Sequence, residues 1–332
     1  MKRHSLHTGL AAAWLVLFFL LFTATAHQAC AGNKNIRLSI AFSPGGALDA
    51  AARALAREAE KELGIDIIVE NVPSGGGMTG VAKVASARAD GSHLAACVSN
   101  ALIYLPRRNV TPYTLESVAP LLIFGQASPV LVTRPDAPWK DLSSFLEAAR
   151  NSEKPLRIGV PGLGTPSHIA LAMMAAEDSA LKWRFIPFGG PGEAETALLG
   201  GHVDAAASGA LPRIVKGQLH PLMVLSGTRL SALPDVPSLT DEGLADPGRG
   251  DSCFVLLAPS NVPEEKLDVL SRAFEKAAGS ESCRKALEGF SAVPLLMGRS
   301  EAAAFLARAR EEEDAVLKAA GIADMPTGSS GR

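Results

Sequence analysis

Twice along this chain an alternating apolar run ends in a glycine-rich loop that opens a helix-spaced stretch, and this recurrence limits the possible folds more than any other feature. Ile36, Leu38 and Ile40 recur at period two, Ser43-Pro44-Gly45-Gly46 follows, and Leu48, Ala51, Ala52, Leu55 and Ala59 then recur at helical spacing. A second strand at Ile65 to Val69, a glycine-rich loop, a helix through Val81, Val84 and Ala85, and a strand at Leu94 to Val98 extend the unit. The theme restarts with a strand at Leu156 to Val160, the loop Pro161-Gly162-Leu163-Gly164-Thr165 and a helix from Pro166 through Ala175. Strands at Trp183 to Pro187, Val203 to Ala207 and Leu222 to Leu225 follow, with helices at Gly192 to Leu199 and Pro212 to Lys216 between them. Repeated strand–helix–strand crossovers predict mostly parallel sheets flanked by helices, hence an α/β chain of two lobes. After Leu233-Pro234-Asp235-Val236-Pro237, a strand at Phe254 to Leu257 and helices at Glu264 to Ala278 and Ser300 to Ala319 need a partner sheet.

The N-terminus reads Met1-Lys2-Arg3-His4, an apolar run from Leu10 to Phe22, then Thr23-Ala24-Thr25-Ala26. A basic start, a short apolar run and small residues make a cleavable secretory leader, expected over residues 1–31. The run is too short for a bilayer core of about 30 Å, which takes roughly 20 apolar residues. Ala24-Thr25-Ala26 and Ala29-Cys30-Ala31 offer two cleavage sites. Lipidation at Cys30 is disfavoured, because His27-Gln28-Ala29 lacks the apolar residue of a lipobox. The remaining body of about 300 residues exceeds what one core usually supports. The full chain, with 47% apolar and 20% charged residues and a net charge of -2, shows neither the basic excess of a nucleic-acid binder nor the bias of disorder. Residues 323–332 read as a loose tail. Cys97, Cys253 and Cys283 allow one disulfide at most, Cys253 with Cys283, or three buried thiols.

Both lobes present a Gly/Ser/Thr-rich loop before a helix, at Ser43 to Asp49 and Gly162 to His168. Free N–H groups and the positive dipole end of a helix start attract anions, and such loops lie at the carboxyl ends of strands. Two of them facing each other would clamp a carboxylate. Asp49 and Arg53 stand four apart on one face, a structural pair unless Asp49 accepts from a ligand. Gly75, Gly77 and Gly80 match G-x-G-x-x-G, but the acidic residue of a dinucleotide site is missing: Asp90 precedes the next strand, which runs into Ser99-Asn100. No G-x-S-x-G, H-E-x-x-H or G-x-x-x-x-G-K-[ST] occurs, and His93, His168, His202 and His220 share no ligand spacing. Binding is therefore favoured over turnover, with an exported hydrolase using His168 as the alternative enzyme reading.

Pro44-Gly45-Gly46-Ala47-Leu48-Asp49, Glu70-Asn71-Val72-Pro73 with Gly75-Gly76-Gly77, Ala89-Asp90-Gly91, Gly162-Leu163-Gly164-Thr165 with Ser167-His168, Gly200-Gly201-His202-Val203-Asp204, Ala232 to Ser238 and Leu257-Ala258-Pro259 with Val262-Pro263 follow one another in order. As an ordered set they resemble the tripartite tricarboxylate transporter receptors, the Bug or TctC-like periplasmic binding proteins, from about residue 36 to 322. The resemblance implies a type II-like periplasmic binding fold. Lobe one would comprise residues 32–127 and 252–322 and lobe two residues 128–251, joined by a hinge crossed near Ser128 and near Gly250. It implies a small organic anion as ligand, integral-membrane transporter subunits as partners, no cofactor and a periplasmic location; a monomer is what hinge closure fits best. A receptor that feeds a membrane sensor instead is the other option. The positions it offers for ligand binding are Ser43, Pro44, Gly45, Gly46, Asp49, Ser74, Gly75, Ser99, Asn100, Gly164, Thr165, Ser167, His168, Phe188 and Asp204.

One departure stands out. Where relatives usually have Pro-Tyr-Lys-Gly, this chain has Pro187-Phe188-Gly189-Gly190, losing a hydroxyl and a cation together. The expected consequence is a shift toward a less charged or more apolar acid.

Overall fold

The computed structural model describes residues 35–73, 75–107, 111–244 and 253–319. The leader, Cys30, Ser74, the second crossing near Gly250 and the tail at 323–332 lie outside the described residues. Two sheets organise the chain. In the first, β1 (Asn35–Ile40) pairs in parallel with β2 (Asp66–Asn71) and with β3 (His93–Val98). Helices α1 (Ala47–Leu63), α2 (Met78–Ala85) and α3 (Asn100–Arg107) follow these strands in turn. Ile36, Leu38 and Ile40 are buried together with Ala51, Ala52, Leu55 and Ala59 of α1, so the period-two and helical stripes meet as the sequence predicts.

The chain then runs through β4 (Val118–Ala127) and crosses at Ser128 and Pro129 into β5 (Val130–Thr133) of the second sheet. There α4 (Leu142–Asn151), β6 (Leu156–Val160), α5 (Pro166–Glu177), β7 (Trp183–Pro187), α6 (Pro191–Leu199), β8 (Ala205–Ser208), α7 (Leu211–Val215) and β9 (His220–Val224) give the strand order β7-β6-β8-β5-β9. Leu131 belongs to the core on one face of this sheet, and Val130 and Val132 to the core on the other, which is the alternation of a strand covered on both sides. The chain returns as β10 (Cys253–Pro259), buried along its whole length between β3 and β4. It closes with α8 (Glu264–Ala278), α9 (Glu281–Glu288), β11 (Ala292–Val293) and α10 (Arg299–Ala319), and the first sheet reads β11-β4-β10-β3-β1-β2.

The sheets are mixed, which corrects the expectation of mostly parallel ones. The parallel units β2-β1-β3 and β7-β6-β8 are present, but β10 is antiparallel to β3 and β4, and β5 is antiparallel to β8 and β9. The reason is geometric. Strands such as β3 and β6 point toward the cleft, whereas β5 follows the crossing at Ser128 and Pro129 and β10 starts with Cys253 beside Gln126 at the end of β4, so both run away from it. Ser291 braces this region, accepting from Ser128 N at 2.8 Å and donating to the Gly209 carbonyl at 2.8 Å. Cys97, Cys253 and Cys283 are all buried thiols, so no disulfide links Cys253 to Cys283. No helix among the described residues is long and apolar enough to cross a membrane.

Candidate functional site

Three helices begin at the carboxyl ends of strands and aim at one place. The N-caps Gly46 of α1, Thr165 of α5 and Gly190 of α6 make no side-chain cap hydrogen bond. The first bonds inside these helices are Ala50 N to Gly46 O at 3.0 Å, Ile169 N to Thr165 O at 2.9 Å and Ala194 N to Gly190 O at 3.3 Å. The N–H groups ahead of them have no intrahelical acceptor. A cavity of about 80 Å³ between the lobes is lined by the first turns of all three: Gly46 to Asp49, Thr165 to Ser167, and Pro191. Apolar groups from the sheets and connecting loops complete its wall, among them Phe42, Val98, Ala127, Pro129, Ala207 and Phe254. Sequence reading placed all three helices, the third as Gly192 to Leu199, but counted only the first two starts among the site loops. The signal of the third start was Gly189-Gly190-Pro191, with proline at the first helical position.

Five of the predicted residues line the cavity: Ser43, Gly46, Asp49, Thr165 and Ser167. Most of their side chains are already committed. Asp49 is buried, its Oδ1 accepts from Arg53 Nε at 2.9 Å and Asn71 Nδ2 at 2.8 Å, and its Oδ2 accepts from Gly45 N at 3.1 Å. It shapes the loop, the structural option for the Asp49–Arg53 pair. Thr165 spends its proton on the Gly162 carbonyl at 2.8 Å. Ser167 Oγ lies 3.4 Å from Thr165 Oγ1 and keeps a hydrogen for it or for a ligand. Ser43 donates its hydroxyl to Glu193 and its N–H to Gly189 O at 2.9 Å, both on the opposite lobe.

The remaining predicted residues stand elsewhere. Pro44, Gly45 and Phe188 line an outer groove with Glu193, Glu195 and Arg213. Gly75 is exposed in the turn before α2, and Ser99 is buried ahead of α3, with its N–H on Cys253 O at 2.9 Å. Asn100 donates to Gly76 O at 3.2 Å and Gly164 O at 3.0 Å, bridging the lobes. Asp204 holds Arg157 through Nη2 at 2.9 Å and its backbone N–H at 2.7 Å. Burial pushes the Asp204 carboxyl up, but the Arg157 guanidinium and amide outweigh this and hold it below the usual range. Asp204 fastens β6 to the turn before β8.

His168 Nδ1 accepts from Gly164 N at 3.1 Å, and its ring meets Phe185 edge-on with centroids 4.7 Å apart. Desolvation brings its pKa down to about 4, so the ring is neutral at physiological pH, with its proton on Nε2. Glu195, which sequence reading overlooked, is buried and accepts from Ser208 Oγ at 2.6 Å beside Arg213 at 3.6 Å. Burial raises its pKa. It braces the Ser208-Gly209-Ala210 turn, and Gly209 lines the cavity.

Close backbone approach holds the lobes together. Gly76, at φ +65°, lies so near the second lobe that a β-carbon on it would sit 2.6 Å from Leu163 O, and one on Gly162 would sit 2.8 Å from Gly76 Cα. The glycine triplet is therefore an interlobe contact and not a nucleotide cradle. Gly80 has another role, since a β-carbon there would sit 2.9 Å from Ala41 Cα, so its glycine lets α2 pack against the end of β1. Among the described residues no group of three or more His, Cys, Asp or Glu is arranged to hold a metal ion.

Comparison with known proteins agrees with this geometry. The family model described as "Tripartite tricarboxylate transporter family receptor" matches residues 51–322. A UPF0065 protein of Cupriavidus necator is 30% identical over 327 residues, spanning 97% of this chain and 98% of the relative. A solved structure described as a periplasmic transporter is 26% identical with a TM-score of 0.78, covering 88% of this chain and 98% of its own. MatC of Rhodopseudomonas palustris, solved with bound malate, is 24% identical with a TM-score of 0.75, covering 85% and 98%.

Proposed function

This chain belongs to the tripartite tricarboxylate transporter receptor family, and from that premise we propose that it captures a small carboxylate between its lobes in the periplasm. It delivers the acid to integral-membrane transporter subunits and does not turn it over. The observation that carries this reading is the cavity between the lobes onto which the uncapped first turns of α1 and α5 open from opposite sides. Peptide N–H groups at a helix start bind carboxylates without a side-chain cation. The donors in this reading are the N–H groups of Ala47, Leu48 and Asp49 in α1, those of Ser167 and His168 in α5, and the Ser167 hydroxyl. The malate held by MatC supports a carboxylate as the ligand class.

A neutral His168 whose Nδ1 is occupied by the Gly164 N–H supports a positioning role for that ring over a hydrolytic one. Export through the leader at residues 1–31, lobes at 32–127 with 252–322 and at 128–251, and a monomeric state complete the proposal. Hinge closure around one ligand needs no second copy.

A thermal-shift screen of the full chain against mono-, di- and tricarboxylates, acidic amino acids and aromatic acids tests it. An acid at 100 times its Kd adds about 2.7 kcal/mol, roughly 5 to 10 °C at this size. A saturable shift with one class of acid is the expected result. Absence of any shift, in folded protein freed of bound ligand, would count against a carboxylate receptor. Release of product from an ester panel would count against a receptor that performs no chemistry.

A further inference from the structure

We propose that this site selects a short monocarboxylate with an apolar body and rejects acids carrying a second negative charge; the inference rests on the carboxylate-receptor reading and narrows it. The starting point is the charge available to the ligand. The first turns of α1 and α5 each present roughly half a positive charge, together about one. The start of α6 is already answered by a carboxylate of the protein, because Glu193 in its first turn accepts from Gly189 N at 2.9 Å and from the Ser43 hydroxyl. Asp49 is balanced by Arg53 at 2.9 Å. Among the described residues that line the cavity, none is Lys, Arg or His.

One carboxylate is therefore matched and a second is not. An acid anchored at the helix starts would direct its remaining atoms toward Phe42, Val98, Ala127 and Phe254. A charged group there would lose its hydration and gain no partner, whereas methyl or methylene groups would be buried favourably. Size points the same way. The cavity of about 80 Å³ is roughly half the 150 Å³ of an apolar cavity that takes benzene, which suits an acid of about two to four carbons.

Isothermal titration of the full chain, freed of co-purified ligand by unfolding and refolding, with acetate, propionate, butyrate, lactate, succinate, malate and citrate tests the assignment. The expected result is a saturable signal from a monocarboxylate at least about tenfold tighter than from any acid of two or three charges. Tighter binding of succinate, malate or citrate would overturn the inference and leave the carboxylate-receptor reading standing. No binding of any acid would remove that reading and the inference with it. A second measurement uses Val98→Ala, which removes two methyl groups from the wall and enlarges the cavity. It should move the preferred monocarboxylate toward a longer chain, and an unchanged order of chain lengths would overturn the placement of the apolar body against this wall.

Discussion

The side-chain amide of Asn100 reaches across the cleft to the Gly164 carbonyl at 3.0 Å, and the same nitrogen donates to Gly76 at 3.2 Å within its own lobe. Two carbonyl acceptors fix which end of the amide is nitrogen. On the proposed hinge closure the Gly164 bond would be lost when the lobes part, so it would favour the closed form and enter the ligand affinity.

Asn100→Ala should therefore raise Kd for the cognate acid by about 2- to 10-fold, the equivalent of roughly 0.5 to 1.5 kcal/mol for one neutral hydrogen bond. Asn100→Asp should be worse than alanine, since it lacks the N–H and sets a carboxylate against two carbonyl oxygens. Calorimetry gives the affinities, and the radius of gyration at saturating ligand gives closure. Equal affinity in the alanine variant would remove Asn100 from the closing machinery.

Gly76 tests the cleft from the other direction. Alanine at φ +65° costs about 1 to 2 kcal/mol in the folded chain, and its β-carbon would sit 2.6 Å from Leu163 O only when the lobes are together. Gly76→Ala should thus fold, lose a few degrees of Tm and lose at least about tenfold in affinity. Gly46→Val should act as a second wedge, because a β-carbon there already lies 3.2 Å from Pro191 Cγ on the opposite lobe. Circular dichroism alongside calorimetry separates misfolding from failed closure.

The elements that sequence reading recovered are those whose signal is local. Ile36, Leu38 and Ile40 declare β1, and Pro166 after Gly164-Thr165 declares α5, because period and punctuation sit within a few residues. β4 and β5 escaped it, although Leu121 to Phe124 and Val130 to Val132 are apolar runs with Ser128-Pro129 between them. They are buried on both faces, and such runs lack the alternation that marks a strand. The direction of β10 was illegible for a different reason, since its antiparallel partners β3 and β4 lie far back in the sequence. At the site, Ser43 and Asn100 were identified as cleft residues, yet their bridging roles depend on Glu193 and Gly164, 150 and 64 positions away.

The Phe188-Gly189 pair gives a prediction opposite to the one its sequence suggests. Phe188 lies outside the cavity, its ring 3.2 Å from where a β-carbon on Gly159 would stand, so Phe188→Tyr should leave Kd within about twofold, less than one hydrogen bond contributes. Gly189 has no room for a side chain: a β-carbon would meet Ser43 Oγ and lie 3.0 and 3.1 Å from the Glu193 oxygens. Gly189→Lys should break the bonds of Ser43 with Gly189 and Glu193, which join the lobes. The expected result is at least about tenfold weaker binding of the cognate acid, the loss of one to two hydrogen bonds. Tighter binding of a dicarboxylate by Gly189→Lys would show that the added cation outweighs the lost contact.

His168 makes the stability of the fold depend on pH. Its pKa is about 4 in the folded chain against 6.5 when unperturbed, so between those values the unfolded chain binds the extra proton. The stabilisation is fully present above pH 6.5, declines as the pH falls through that window, and amounts to up to about 3 kcal/mol. Protonation of Nδ1 also removes the acceptor for Gly164 N, which lies 3.1 Å away. In His168→Asn the side-chain oxygen stands near the position of Nδ1 and accepts the same N–H without titrating. Melting curves between pH 7.5 and 4.5 should therefore fall more steeply for the wild-type protein than for His168→Asn. Parallel curves would mean that the ring titrates alike in both states, and a shallower wild-type curve that it is protonated in the folded chain; either would end its assignment as a neutral acceptor for the loop.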